Sequence, residues 1–341
     1  MLAAIIVVAC LVLFSGGWQR PVAGFSRAFY KKQARAVSSI QLPGNIRDII
    51  NISDGSIYFE TGNPALIYKS GGDLKALQQV HLPVKQNEGI NSFFITTTDS
   101  SFAYIAAGNV PMIIKTPFDT GAVNYIAVPP KTFSTCAQVS QNTFVFRMFK
   151  NFAGKWDQIF VKTDLINKST LEEKHISPKN GDAGISTDGQ LLYDKFSGKL
   201  IYVHFYNNTI ISMDTNLNLL YTMHTVDTSS GDIVSVTKYS SGTLAAYTNG
   251  NPVHGMNILS TVNNGLLYIL SGIKADNESR KAFENNAAID VYAINERKYK
   301  GSFYIPEYNG TNPRAFKVYN NRFYALYKKR LICYQLPFQN Q

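Results

Sequence analysis

From residue 36 to its end the chain repeats one four-part pattern six times, at a period of about 45 residues. The second part of each repeat centres on an aromatic residue. These are SIYFE around Tyr58, FAYIA around Tyr104, FVFRM around Phe146, LIYVH around Tyr202, LLYIL around Tyr268 and FYALY around Tyr324. An apolar segment precedes each: IRDIINI (46–52), SFFITTT (92–98), FSTCAQV (133–139), QLLYDKF (190–196), MNILSTV (256–262) and RAFKVYN (314–320). A third segment follows, such as ALIYKS (65–70) or RLICYQL (330–336). A fourth closes the unit, often on a hydrophobic residue and a proline, as in LQQVHLP (77–83) and KGSFYIP (300–306). Short apolar runs broken by Gly, Asn, Asp and Pro, without a 3.6-residue stripe, are strands rather than helices. Four strands per unit at this period predict an all-β fold, a six-bladed β-propeller of four-stranded antiparallel blades. A seventh blade around TLAAYT (243–248) fails on spacing, because only 21 residues separate Tyr247 from Tyr268.

The last unit is one strand short. After RLICYQL the chain ends within a few residues, whereas SSIQLP (38–43), ahead of the first unit, carries the ending of a fourth strand. An unpaired sheet edge invites aggregation. The N-terminal strand is therefore expected to complete the last blade and close the ring. With this grammar, residues 36–341 resemble the six-bladed propellers of the NHL and TolB-like type, particularly uncharacterised secreted or membrane-tethered families of bacterial envelopes. The resemblance implies a fold and little about chemistry.

Composition narrows the functional classes. Apolar residues make up 45% and charged ones 16%, with 20 Tyr and 21 Phe, as suits a packed β-rich domain. The net charge of +10 is half accounted for by Arg20, Arg27, Lys31, Lys32 and Arg35, ahead of any acidic residue. The remaining 28 basic and 23 acidic residues form no basic stripe, which argues against nucleic acid as a partner. Of three cysteines, Cys10 lies in an apolar run, and Cys136 and Cys333 read as small buried hydrophobes rather than a disulfide framework.

That apolar run, Leu2 to Phe14, is 13 residues long and uncharged, the length of a signal-peptide core. Residues 1–17 are read as a signal or anchor segment and 18–35 as a basic juxtamembrane linker whose Trp18, Phe25, Phe29 and Tyr30 rest on anionic headgroups. Basic residues after the run favour a cytoplasmic C-terminus by the positive-inside tendency. The expectation is nevertheless export to the cell envelope, periplasm or exterior, with membrane contact through residues 1–35. VVAC (7–10) resembles a bacterial lipobox, although the hydrophobic stretch continues past the cysteine.

Candidate chemistry is sparse. His81, His175 and His224 recur at equivalent outer-strand positions on separate blades, too far apart to share a metal. DTNLN (214–218) lacks the Gly and bidentate Glu of a calcium loop, and STDGQ (186–190) has its Gly one position early for an Asp-box turn. Neither a metal nor a cofactor is expected. The N-x-[ST] triplets at Asn51, Asn167, Asn207, Asn277 and Asn309 matter only along a eukaryotic secretory route.

In a propeller the connections between second and third strands, and from each fourth strand to the next blade, emerge on one face. The long ones here are 150–157, 271–287 and 227–255. Long loops in a compact fold are commonly functional. Their Lys155, Trp156, His254, Lys274, Arg280 and Lys281 predict a basic, aromatic rim for a protein or small-molecule partner, of a kind that suits an acidic one. Arg47, Asp48, Asp194 and Lys317 are the ionisable residues expected along the channel. A non-enzymatic binding or scaffold module is the first functional reading; a propeller hydrolase or lyase with its site in the channel mouth is the alternative.

Overall fold

A computed structural model of the chain describes residues 23–338 except 54, 86–88, 91–93, 100, 120, 129–131, 229–233, 235, 242–243 and 250–254. The signal or anchor segment 1–17, with Cys10, lies outside the described residues, as do Trp18, Arg20 and His254.

Among the described residues the chain forms six four-stranded antiparallel sheets. The first strand, β1 (Arg35–Gln41), belongs to the last of them. Blade 1 is β2 (Ile46–Ser53), β3 (Ser56–Thr61), β4 (Leu66–Gly71) and β5 (Leu77–His81). Blade 2 is β6 (Phe94–Thr98), β7 (Phe102–Ala107), β8 (Met112–Pro117) and β9 (Asn124–Ala127). Blade 3 is β10 (Phe133–Gln138), β11 (Thr143–Phe152), β12 (Lys155–Asp164) and β13 (Thr170–Glu172). Blade 4 is β14 (Gly189–Asp194), β15 (Lys199–His204), β16 (Thr209–Met213) and β17 (Leu219–His224). A separate two-stranded ribbon, β18 (Val236–Ser241) and β19 (Leu244–Asn249), follows. Blade 5 is β20 (Asn257–Asn263), β21 (Leu266–Ser271), β22 (Asn286–Ala293) and β23 (Lys298–Pro306), with the short helix α1 (Arg280–Glu284) between β21 and β22. Blade 6 is β24 (Ala315–Tyr319), β25 (Arg322–Tyr327), β26 (Arg330–Gln335) and β1.

The TLAAYT segment thus contributes to a two-stranded ribbon in the blade 4–5 connection and not to a seventh blade. β1 closes the ring as expected. It runs antiparallel to β26, with Ala36 opposite Tyr334, Ser39 opposite Ile332 and Gln41 opposite Arg330. The Leu42 amide then donates to the Lys329 carbonyl at 2.9 Å, extending the pairing into the QLP ending. The fourth strand of blade 3 is short, Thr170–Glu172 alone. After β13 the Glu173 carboxylate accepts from the Ile176 and Ser177 amides at 2.6 and 3.0 Å, bending the chain into a turn.

The apolar residues bury themselves between blades rather than at one centre. Second strands are buried on both faces, which is why their aromatic centres recur so regularly. Tyr58 packs with Ile105 and Ile114 between blades 1 and 2. Tyr104 meets Phe144 and Phe146 between blades 2 and 3, and Phe160 meets Tyr202 between blades 3 and 4. Val203 packs with Ile269 and Tyr292 between blades 4 and 5, and Tyr268 with Phe316 and Phe323 between blades 5 and 6. Tyr324 and Cys333 of blade 6 pack with Phe59 of blade 1, closing the circle with a sixth core. Burial of this kind is the main driving force for folding, and here it is spread around a ring.

Residues 23–30 correct the expectation of a basic linker. They are docked on the rim of blade 5. The Tyr30 amide donates to the Ser302 carbonyl and the Ser302 amide to the Ala28 carbonyl, both at 2.9 Å, a parallel bridge centred on Phe29. Phe29 packs on Tyr304, with ring centroids 4.6 Å apart. Arg27, counted among headgroup-facing cations, is instead buried and ion-paired with Glu278 and with Asp290 at 2.8 Å. Phe25 is buried beneath its guanidinium.

Candidate functional site

The six innermost strands surround an axial cavity of about 700 Å³. Each first strand begins on the face where the long connections emerge, called here the long-loop face. Strand polarity therefore sorts the lining side chains along the axis. Asp48, Glu60, Asp188 and Arg314 stand near the long-loop mouth, and Lys317 lies deeper. Thr98, Gln138, Tyr193, Asn263 and Tyr319 line the far end. Four residues of strand separate Asp48 from Ile52, so the two ends are about 13 Å apart at about 3.3 Å per residue.

The mouth is built on one register pair, Asp48 opposite Glu60. Alternation turns Glu60 toward blade 2, where its carboxylate accepts from the Thr96 amide at 2.7 Å and from Arg47 at 3.0 Å. The Arg47 guanidinium is 4.7 Å from the centre of the Phe94 ring, a cation–π contact that fixes its plane. Burial pushes the Glu60 carboxyl up to about 7; the Thr96 hydrogen bond opposes this, neighbouring Asp48 adds to it and Arg47 opposes it. Asp48 opens onto the channel, and its carboxylate accepts from the Ile49 amide at 2.6 Å. Enclosure by the surrounding blades raises its pKa, against the opposing pull of Lys317, Arg314 and Arg47. Asp188 is raised by burial too, with the Gly189 amide and Arg147 acting the other way. The Cys136 thiol in the wall is pushed up to about 12 by burial and by Glu60, so it is held protonated and is no nucleophile at neutral pH.

Of the channel residues expected from sequence, Lys317 lines the cavity and Arg47 braces Glu60. Asp194 does neither. It is buried at the turn after β14, accepting from the Ser197 amide at 3.1 Å and the Gly265 amide at 3.4 Å. Its role is to cap that turn and fasten it to blade 5. Glu60 and Arg147 were not singled out by sequence. Arg147 is 1% exposed, lies 4.5 Å from the Phe160 ring centre and 5.2 Å from that of Tyr202, and donates to the Gln158 carbonyl and to Thr187. It joins blade 3 to blade 4 behind the channel wall.

The expected rim is only partly assembled. Segment 150–157 is no loop: β11 and β12 continue as a hairpin to a two-residue turn, Ala153 and Gly154, both at positive φ (50° and 88°). Glycine takes that conformation freely, and the Asn151 side chain secures it by accepting from the Gly154 amide at 2.8 Å. Lys155 is exposed on this hairpin, with Trp156 half-buried beside it. The 271–287 segment is pinned in place. Its Lys274 ammonium donates to the Ala275 and Glu278 carbonyls, Arg280 pairs with Glu284 along α1, and Lys281 is exposed. Lys155 and Trp156 thus belong to blade 3, and Lys274, Arg280 and Lys281 to blade 5, with blade 4 between them. They form two flanks of one face and not a single pocket.

Glu60 titration makes a testable prediction. Its folded pKa of about 7 exceeds the ordinary 4.5. The stability linked to it is therefore fully present below pH 4.5 and lost as pH rises through 7. Glu60→Gln removes that loss, so relative to wild type the variant is expected to gain about 2–3 kcal/mol between pH 4 and pH 8. Urea unfolding at stepped pH measures it. His204, lowered to about 4 by burial and by Arg147, has the opposite slope, losing stability as pH falls below 6.5. It is common to both proteins and cancels from the difference.

A closed ring of six four-stranded blades, with one charged axial mouth, defines a six-bladed β-propeller. Comparison with family models and with curated proteins gives no match. Solved structures share the fold. A member of the DUF4221 family from Bacteroides vulgatus superposes with a TM-score of 0.59 at 11% identity, covering 89% of this chain and 98% of that one. A structural genomics protein of unknown function from Bacteroides thetaiotaomicron gives 0.51 at 11% identity, covering 91% of this chain and 75% of that one. At this identity the likeness speaks for the fold alone, and does not place the chain with the NHL or TolB-like type.

Proposed function

We propose that this protein is a non-enzymatic binding module, exported and tethered to the membrane through its N-terminal segment, which engages a partner at the long-loop mouth of its channel. One observation carries the reading. Asp48, Glu60, Arg314 and Lys317 bring both signs of charge into a cavity on the same face as the projecting blade 3 hairpin and the pinned blade 5 segment. Such a site orients a small polar ligand, or the charged end of a larger one, by complementarity. Photocrosslinking in native envelopes tests it. Adducts from a probe at Trp156, lost in the Asp48→Asn/Lys317→Met variant, support the reading. Adducts from Phe196 on the opposite face alone, indifferent to those substitutions, overturn it.

The enzymatic alternative has one observation in its favour. A carboxyl held near pH 7 at a cavity mouth is suited to general acid–base work. Against it, Glu60 is already engaged by Arg47 and the Thr96 amide, and the channel tyrosines stand at the far end. Hydrolysis of a panel of generic esters and glycosides, abolished by Glu60→Gln with the fold intact, selects the enzyme reading.

A further inference from the structure

The way the chain enters the propeller determines which face a tethered molecule turns to its membrane. The Ala23 and Gly24 amides donate to the two carboxylate oxygens of Asp276 at 2.7 and 3.0 Å. The Ala23 carbonyl accepts from the Thr228 hydroxyl, and the Phe25 carbonyl from the Asp276 amide, both at 3.0 Å. Asp276 lies between the second and third strands of blade 5, and Thr228 in the connection leaving blade 4. Both connections emerge on the long-loop face. A few residues further on, Arg27 is locked between Glu278 and Asp290 with no exposed side-chain surface. The exit point therefore cannot swing around the rim.

Between residue 17 and Ala23 the chain spans at most about 20 Å, even fully extended. Reaching the opposite face would consume that length along the rim, because the outer strands flanking the exit, β17 and β23, have six and nine residues and are about 20–30 Å long. We infer that the long-loop face, with its charged mouth, is apposed to the headgroups of the bilayer that holds residues 1–17; this rests on the tethering reading above.

Charge agrees with this orientation. Exposed Lys155, Lys179 and Lys281 stand on that face without an acidic partner among the ion pairs of the described residues, while Lys150 and Arg280 are neutralised by Glu172 and Glu284. Anionic headgroups attract such lysines within a Debye length of about 8–10 Å. Among the described residues the most exposed large apolar ones, Phe196 (70%) and Ile166 (69%), stand on the opposite turns of blades 4 and 3, away from the bilayer. A membrane contact driven by apolar area alone would choose that other face, so the two orientations make opposite predictions.

The full-length chain, carrying a fluorescent residue at position 155 or at 196, is reconstituted into phosphatidylcholine–phosphatidylglycerol vesicles containing headgroup-labelled nitroxide lipid. Quenching at 155 is expected to exceed that at 196 severalfold, with the excess at 155 reduced by Lys179→Glu/Lys281→Glu. Equal or reversed quenching on vesicles with which the protein co-floats overturns the orientation and leaves tethering intact. Failure to co-float at all removes the tethering reading, and the orientation with it.

Discussion

A chain that starts at Gly44 is expected to aggregate. Without β1 the third strand of blade 6, still paired with the second on its inner side, presents a full outer edge, Arg330–Gln335, whose outward amides and carbonyls lose their partners. An exposed edge of this length is a template for intermolecular pairing. The damage is not confined to one strand. Ile40 packs against the blade 6–1 core, and Leu42 lies within it, 3% exposed, so truncation also opens the last interface of the ring. A control separates this effect from loss of residues 23–34, of which 23–30 are docked on blade 5. Arg35 is opposite Gln335, so residues 35–43 appended after Gln341 can return as a hairpin to the same edge. Both proteins lack 23–34, and only the permuted one regains β1. Size-exclusion chromatography is expected to find the permutant monomeric and the truncated chain aggregated. A truncated chain that stays monomeric, with the permutant's urea midpoint, sinks the account of closure.

The repeat count and the missing strand could be read from the sequence because both are local. Alternation, an aromatic centre and a turn residue each act within a few positions, and a unit that lacks its fourth strand announces the deficit. What escaped was carried by pairs remote in sequence. Arg27 looked like one more cation in a basic stretch because its partners lie 251 and 263 residues away. Glu60, at the end of SIYFE, drew no attention, because only the neighbouring blade supplies the Thr96 amide and the burial that shift it. Segment 150–157 failed for another reason. Its Asn151 and Gly154 are turn formers, yet Ala153 and Gly154 make a turn so tight that the strands continue on both sides of it. The channel residues divided along the same line. Lys317 sits mid-strand, where alternation points it inward, whereas Asp194 sits at a strand end, where a turn needs an acceptor more than the channel needs a charge.

Arg27→Met is the substitution expected to cost most at a single position. It deletes the cation from a buried cluster in which Glu278 and Asp290 remain, their side chains 0% and 3% exposed. Two effects compete. Desolvation of three charges disfavours the wild-type cluster, while attraction and hydrogen bonding favour it. Replacing every member with neutral groups is often near neutral, but removing one partner leaves uncompensated charge and costs about 3–5 kcal/mol. The single variant is thus expected to lose about that much in urea unfolding at pH 8, and Arg27→Met/Glu278→Gln/Asp290→Asn to recover most of it. Acid should also rescue the single variant. Burial already raises Asp290, with Arg27 opposing, so removing Arg27 lifts the carboxyl further. A carboxyl with a raised folded pKa stabilises at low pH and ceases to as pH rises through that pKa. The deficit should therefore shrink between pH 8 and pH 5. Limited proteolysis gives an independent readout, because the Asp276 grip on Ala23 and Gly24 sits two residues from Glu278 and loosens with it. Cleavage within 23–34 is expected to appear in Arg27→Met and to remain absent in wild type. A variant as stable and as protected as wild type would mean that residues 23–30 do not dock on blade 5, and the argument for a membrane-facing mouth would fall with them.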